Sequence, residues 1–132
     1  MRSFKYIKVG KEHFSIVPLL LVKNRQHIPV NALIDNGANY SVFKSKIGKD
    51  LGIDIRSGKE RSLTIGDGNR ISIYFHDVDV AIAGRIIRNA RIGFSDELGT
   101  QFNLLGRKTI FDKFEICLNE RDKVVKFNPV YE

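Results

Sequence analysis

The sequence has a single cysteine, no long apolar run and no recognisable leader segment. One Cys permits neither an intrachain disulfide nor a zinc site built from cysteines. The longest strongly apolar run, residues 16–22, is far shorter than the roughly 20 residues that span a bilayer. Residues 1–14 mix Lys, Glu and His with apolar residues, unlike a signal peptide. We therefore expect a cytoplasmic protein without a membrane partner.

Blocks of like charge are also missing, although the 132 residues include 22 Lys and Arg against 15 Asp and Glu, a net charge of +7. The cationic residues are spread evenly, and Arg85, Arg88 and Arg91 are the closest approach to a cluster. A nucleic-acid binder often concentrates its basic residues in a stripe with interleaved aromatics. The even spacing argues against a nucleic-acid partner and favours a solvated basic surface, whose charge can still steer acidic substrates or partners.

What the sequence does contain is a series of short strands separated by turn residues. The length suits one domain, residues 1–132, because it can bury a core but not two lobes. Residues 16–22 are continuously apolar, which predicts a strand buried on both faces. Short helices are predicted at residues 44–53, ending near Gly52, and at residues 107–113. This pattern predicts an all-β protein, either a closed barrel or a sandwich.

A hairpin is predicted around residues 66–69, whose Gly, Asp and Asn accept turn conformations. Residues 61–65 form its first arm and residues 70–83 its second. The second arm alternates apolar and polar residues, but the alternation changes phase at His76 and Asp77. Such a change predicts a β-bulge near these residues.

Asp35 has an unusual setting among the nine aspartates. It follows the apolar residues 32–34 and precedes Asn36, Gly37 and Ala38. A carboxylate that ends a buried strand is held by a rigid scaffold, and backbone N–H groups of a glycine turn can orient it. Taken alone, the same motif also fits an aspartate that merely caps a turn.

Three segments, in this order, resemble the retropepsin-like aspartic proteases, single-domain relatives of the retroviral proteases. They are ALIDNGANYSVF at residues 32–43, LTIGDGNRISIYF at residues 63–75, and NLLGRKTIFDKFEICL at residues 103–118. The resemblance covers roughly residues 14–127. It implies a closed retropepsin-like β-barrel with one or two short helices and a flap hairpin, and an endopeptidase that acts on peptides or proteins without a cofactor.

The resemblance also implies roles for individual residues. Asp35 would be the catalytic residue, and the active-site loop would comprise Asn36, Gly37 and Ala38. The flap over the substrate would comprise Ile65, Gly66, Asp67, Gly68 and Asn69. The segment packed behind the loop would comprise Leu104, Leu105, Gly106 and Arg107.

One Asp per chain is half of such a site. Aspartic proteases hydrolyse peptides with two close carboxylates that share a proton. No second apolar-Asp-x-Gly motif exists, since Asp67 lies in the hairpin turn. The second carboxylate must therefore come from Asp35 of another copy, which predicts a homodimer with the site on its two-fold axis.

Two residues depart from the family pattern. Asn36 replaces the usual Thr or Ser, whose hydroxyl in the family hydrogen-bonds across the dimer and stiffens the two loops. Asn39 stands where retroviral members often carry Asp, so Arg107 lacks an ionic partner there. The alternative function is a noncatalytic dimerisation or peptide-binding module of the same fold.

Other candidates for chemistry carry little weight. His13, His27 and His76 lack the spacing of metal ligands, so we expect no metal site. Cys117 lies in an apolar strand predicted over residues 114–118, which favours an inert buried thiol.

Overall fold

The described residues form twelve β-strands and one short α-helix, which confirms the all-β prediction. The computed structural model describes residues 1–64, 68–99 and 102–131. The strands are β1 (Arg2–Lys5), β2 (Ile7–Val9), β3 (Glu12–Phe14), β4 (Ile16–Lys23), β5 (Gln26–Ile34), β6 (Val42–Lys44), β7 (Lys59–Thr64), β8 (Arg70–Ile82), β9 (Arg85–Ser95), β10 (Asn103–Leu105), β11 (Phe114–Asn119) and β12 (Val124–Pro129). The helix is α1 (Ser45–Asp50), and 3₁₀ turns span Ile55–Ser57 and Phe111–Lys113.

Six strands close into a ring, as expected for the barrel. The main sheet has the order β4-β5-β10-β6-β9-β8-β7, and β4 also pairs with β8. One edge of β8 has two partners. Its residues 79–81 pair with β4, and its residues 70–75 pair with β7. The ring is therefore closed at one end of β8, and the other end continues into the hairpin with β7.

Strand β4 alternates between buried and exposed residues. Val17, Leu19 and Leu21 are buried, but Pro18 and Leu20 face solvent. The prediction of a strand buried on both faces is wrong because only the inner face of the ring is covered, and the outer face tolerates apolar side chains.

Strand β8 contributes to two separate apolar clusters. Ile71, Ile73 and Phe75 belong to a small cluster, and Val78, Val80 and Ile82 belong to the main core. A register shift with β9 lies between Val78 and Val80, which confirms an irregularity near the predicted position. Pairing is continuous through His76 and Asp77 themselves. The change of phase at these two residues marks where the strand switches its buried face.

The helical predictions are partly confirmed. Helix α1 ends as predicted before Gly52, whose φ of 78° suits a glycine after a helix. The helix predicted over residues 107–113 is wrong, because a non-helical turn precedes the single 3₁₀ turn and Thr109 has a φ of 69°. Among the described residues, no helix is long and apolar enough to cross a membrane.

A second sheet of three strands has the order β1-β12-β11. Phe114 and Phe127 pack from it into the main core. Cys117 on β11 is exposed, so the prediction of a buried thiol is wrong. Strand β11 lies at an edge of this small sheet, and its alternate residues face solvent rather than a second layer.

Candidate active site

Asp35 lies where β5 leaves the main sheet. Its backbone N–H donates to the Leu105 carbonyl at 3.0 Å, directly beyond the parallel pair of Ile34 and Leu105. The aspartate is partly buried, whereas Ile34 before it is buried and Asn36 after it is exposed. The end of a central strand therefore presents this carboxylate at the surface of the core, as the sequence predicted.

The turn after Asp35 fixes the direction of its side chain. The Gly37 N–H donates to Asp35 Oδ1 at 3.0 Å, and the Ala38 N–H donates to the Asp35 carbonyl at 3.2 Å. A Cβ on residue 37 would lie 3.2 Å from Oδ1, tighter than most real contacts. The glycine thus lets the backbone approach and orient the carboxylate.

Residues 104–108 support this loop from behind. The N–H of Gly106 donates to Oγ of the fully buried Ser41 at 2.9 Å. The backbone N–H groups of Arg107 and Lys108 donate to the carbonyls of Ala38 and Asn39 at 2.9 Å and 2.8 Å. The structure therefore brings the two predicted segments together through main-chain hydrogen bonds.

The Arg107 side chain still has a partner in the loop. Its Nη2 donates to Asn39 Oδ1. The contact is a hydrogen bond to a neutral amide. The amide thus maintains the link between the loop and its support without a second negative charge.

A cavity of about 180 Å³ opens beside the carboxylate. It is lined by Asp35, Gly37, Ala38, Asn39, Tyr40, Val42, Leu63, Thr64 and Leu104. Apolar cavities of about 150 Å³ accommodate benzene, so this one can hold a single apolar side chain. A carboxylate beside a cavity of this size can reach a chemical bond next to the residue whose side chain fills the cavity.

The hairpin predicted as a flap borders this cavity through Leu63 and Thr64 near the end of β7. Gly68 has a φ of 86°, and apart from its chain neighbours no atom of the described residues lies within 4 Å of where its Cβ would be. Asn69 follows at the start of the second arm. Ile65, Gly66 and Asp67 lie outside the described residues, so the flap itself stays a prediction.

The outer side of the hairpin is held by polar contacts. Tyr74 Oη donates to Glu60 Oε2 at 2.8 Å and accepts from Arg56 Nη1 at 3.2 Å. The hydrogen bond to the Glu60 carboxylate raises the pKa of Tyr74. These contacts tie β8 to β7 and to the turn before it, which steadies the base of the hairpin.

Sequence reasoning missed Tyr40 and Lys108. The rings of Tyr40 and Phe75 are 4.6 Å apart, and Lys108 Nζ lies 4.8 Å from the Tyr40 ring centroid. On the far side, Arg91 Cζ lies 4.7 Å from the Phe75 ring centroid. Tyr40 and Lys108 directly follow Asn39 and Arg107 within the quoted segments, but nothing in their spacing indicates that they meet.

No group of three or more His, Cys, Asp or Glu side chains is placed to hold a metal ion in the part of the chain that the structure describes. The chemistry available at the cavity is that of a carboxylate, backbone amides and apolar walls.

Comparison with known proteins gives a consistent result. A sequence model described as aspartyl protease matches residues 21–109. A retropepsin-like aspartic protease from Rickettsia conorii has a similar structure, with 16% identity, a TM-score of 0.68, and coverage of 95% of this chain and 98% of that one. The EIAV protease complexed with the inhibitor HBY-793 has 24% identity, a TM-score of 0.55, and coverage of 80% and 93%. No curated protein matches the sequence. These structural likenesses show the retropepsin-like fold.

Proposed function

This chain belongs to the aspartyl protease family, and we propose that it is an aspartic endopeptidase whose site is formed by Asp35 from each subunit of a homodimer. The observation that carries the proposal is the Asp35 carboxylate, oriented by the Gly37 N–H at 3.0 Å beside a cavity sized for one side chain. A turn-capping aspartate needs no such cavity.

Each Asp35 would have a separate task in the reaction. Two close carboxylates cannot both ionise easily, so the pair shares one proton. The ionised Asp35 deprotonates the attacking water, and the protonated one donates to the oxygen of the scissile carbonyl. The described chain supplies one oriented carboxylate, which is why the proposal requires a second copy.

The supporting residues would set the precision of the pair. The Leu105 carbonyl accepts a hydrogen bond from the Asp35 N–H at the end of the strand. The Gly106 N–H donates to Ser41 inside the loop, and the Arg107 side chain donates to Asn39 on the outer side of the loop. A reactive pair needs its members held to within about 0.5 Å of the productive geometry. The hairpin at residues 65–69 would cover an extended peptide bound through main-chain hydrogen bonds.

The test is peptide cleavage by wild type and Asp35→Asn. A diverse peptide library is incubated between pH 4 and 7, with and without a statine-type inhibitor. We expect cleavage by wild type, inhibition by the statine compound, and loss of at least about 10²–10⁴-fold in Asp35→Asn, because a proton-transfer role is worth that much.

Asp54→Asn is the matched control, because the exposed Asp54 side chain makes no capping hydrogen bond at the 3₁₀ turn it precedes. It should cleave like wild type. Cleavage by Asp35→Asn at the wild-type rate would show that this loop does not carry the chemistry.

Asn36 favours the second candidate, a noncatalytic peptide-binding or dimerisation module. This exposed residue replaces the Thr or Ser of the usual motif. Under the main proposal, Asn36→Thr restores the hydroxyl and should raise turnover and tighten the dimer. If wild type cleaves nothing and Asn36→Thr cleaves readily, the chain is the noncatalytic module.

A further inference from the structure

A lysine ammonium group lies against the wall of the Asp35 cavity. Tyr40 forms part of that wall. Lys108 Nζ donates to Tyr40 Oη at 3.3 Å and lies 4.8 Å from the ring centroid. The positive charge therefore lies directly beside one residue of the cavity wall, Tyr40.

Main-chain and ring contacts fix this position. The Lys108 N–H donates to the carbonyl of Asn39, another residue of the cavity wall, at 2.8 Å. Tyr40 packs on Phe75 at 4.6 Å between ring centroids, and Arg91 lies over Phe75. Tyr40 is held by Phe75, and the Lys108 ammonium group is directed toward the Tyr40 ring by the hydrogen bond to Oη and the cation–π contact.

The nearby acidic groups leave this charge available. Lys108 is exposed and makes no ion pair with a residue that the structure describes. Asp112, which shares an open groove with Lys108, has its carboxylate 3.7 Å from Lys113 Nζ. Among the described residues that line the cavity, Asp35 carries the one carboxylate.

A second cation lies on the neighbouring hairpin. Arg70 on β8 is the cross-strand partner of Thr64, which lines the cavity, and its Nε donates to Ser62 Oγ at 3.3 Å. The negative charge of Asp35 repels a substrate carboxylate at the centre of the site. The repulsion is weaker for a substrate carboxylate that lies farther along the peptide, toward Lys108.

We propose that Lys108 is a specificity-determining residue that selects peptides with an Asp or Glu flanking the apolar residue in the cavity. The inference rests on the proposed function for its catalytic readout. A carboxylate that reaches Nζ would gain a charge-assisted hydrogen bond, which an amide of the same shape would form only weakly.

The test uses peptides that differ by Glu, Gln or Lys at each of three positions on either side of a central apolar residue. Two quantities are measured: kcat/KM for cleavage, and Kd for matched peptides whose scissile amide is replaced by a reduced bond. The proteins are wild type, Lys108→Met, Lys108→Arg and Lys126→Met. Lys126→Met is the matched control, because it removes the same charge from an exposed position on β12 that does not line the cavity.

We expect wild type to prefer Glu over Gln by about 3- to 10-fold at one position, as for a partly exposed charged contact. The preference should fall to about 1 in Lys108→Met and persist in Lys108→Arg and Lys126→Met. It should also weaken at 0.5 M salt, because a partly exposed ion pair is screened.

The inference is overturned if wild type binds peptides without a Glu preference, or if the preference survives in Lys108→Met. It is also overturned if Lys126→Met removes the preference equally. If no peptide is cleaved but reduced-bond peptides bind with a Glu preference that Lys108→Met abolishes, the protease proposal fails and the selectivity of Lys108 stands. Absence of both cleavage and binding would overturn both.

Discussion

Thr109 shows at the scale of a single residue how the support behind Asp35 is built. Its φ of 69° lies in the left-handed region, which β-branched residues rarely adopt. Its Oγ1 is buried and has no hydrogen-bond partner among the described residues. The left-handed turn lets Lys108 bond to Asn39 while the next residue, Ile110, enters the core. The fold tolerates the strained conformation because it allows the hydrogen bond of Lys108 and the burial of Ile110.

Replacing Thr109 with Gly should therefore stabilise the protein by about 1 kcal/mol. The change removes a left-handed penalty of about 1–2 kcal/mol and an unpaired buried hydroxyl worth about 1–3 kcal/mol. The greater flexibility of glycine when unfolded and the loss of buried methyl contacts offset part of this gain. Urea denaturation measures the difference.

Thr109→Val is the comparison, since it removes the hydroxyl but keeps the strained backbone. It should give a smaller gain than Thr109→Gly. A lower unfolding free energy for Thr109→Gly would show that the threonine side chain contributes more than its strain costs.

At the scale of elements, the three-residue strand β10 organises the site. Leu104 pairs with Leu33 of β5 on one side and with Val42 of β6 on the other. The chain then passes so close to the loop that a Cβ at residue 106 would lie 2.3 Å from the Tyr40 carbonyl oxygen. The contact involves backbone atoms, which cannot turn away as a side chain can. Glycine is thus required where the support crosses the loop.

We expect Gly106→Ala to lower the free energy of unfolding by about 3 kcal/mol, at the upper end for overpacked sites. Gly99→Ala is the matched control, because the nearest atom to its added Cβ would be the Glu97 carbonyl oxygen at 4.0 Å. Thermal or urea denaturation compares both variants with wild type. A wild-type midpoint for Gly106→Ala would contradict the close crossing.

Elements that depend on local residue patterns could be predicted from the sequence, whereas those that depend on contacts between distant segments could not. The end of β5 at Asp35 and the turn at Gly37 follow from local patterns, an apolar strand and a glycine. The switch of β8 between two apolar clusters could not be predicted, because a bulge produces the same change of phase in the apolar alternation of the sequence. The pairing of β10 with β5 and the exposure of Cys117 depend on which strand becomes a neighbour, and no local pattern encodes that.

For the whole molecule, the proposed homodimer requires two chains of net charge +7 to associate. Screening at 0.15 M salt limits their repulsion to a range of about 8 Å. We expect sedimentation velocity to show a dimer at micromolar concentration in that salt and a weaker dimer at 0.01 M. Asp35→Asn should dimerise at least as tightly, because it removes the repulsion between the paired carboxylates.

A chain that stays monomeric at high concentration would contradict the shared active site. Asp54→Asn is again the control, because it changes the net charge equally but removes no carboxylate from the proposed pair. Its dimer should match that of wild type.

The long sequence separation between β5 and β10 has a consequence for the order of events during synthesis. Ala32 and Leu33 pair with Asn103 and Leu104, so the contact closes a large loop of chain and forms late in folding. Asp35 leaves the ribosome well before Leu105 and Gly106, the residues that position its loop. A nascent chain therefore carries the carboxylate before its supporting hydrogen bonds can form, and the proposed half-site is complete only after residues 105–106 have emerged.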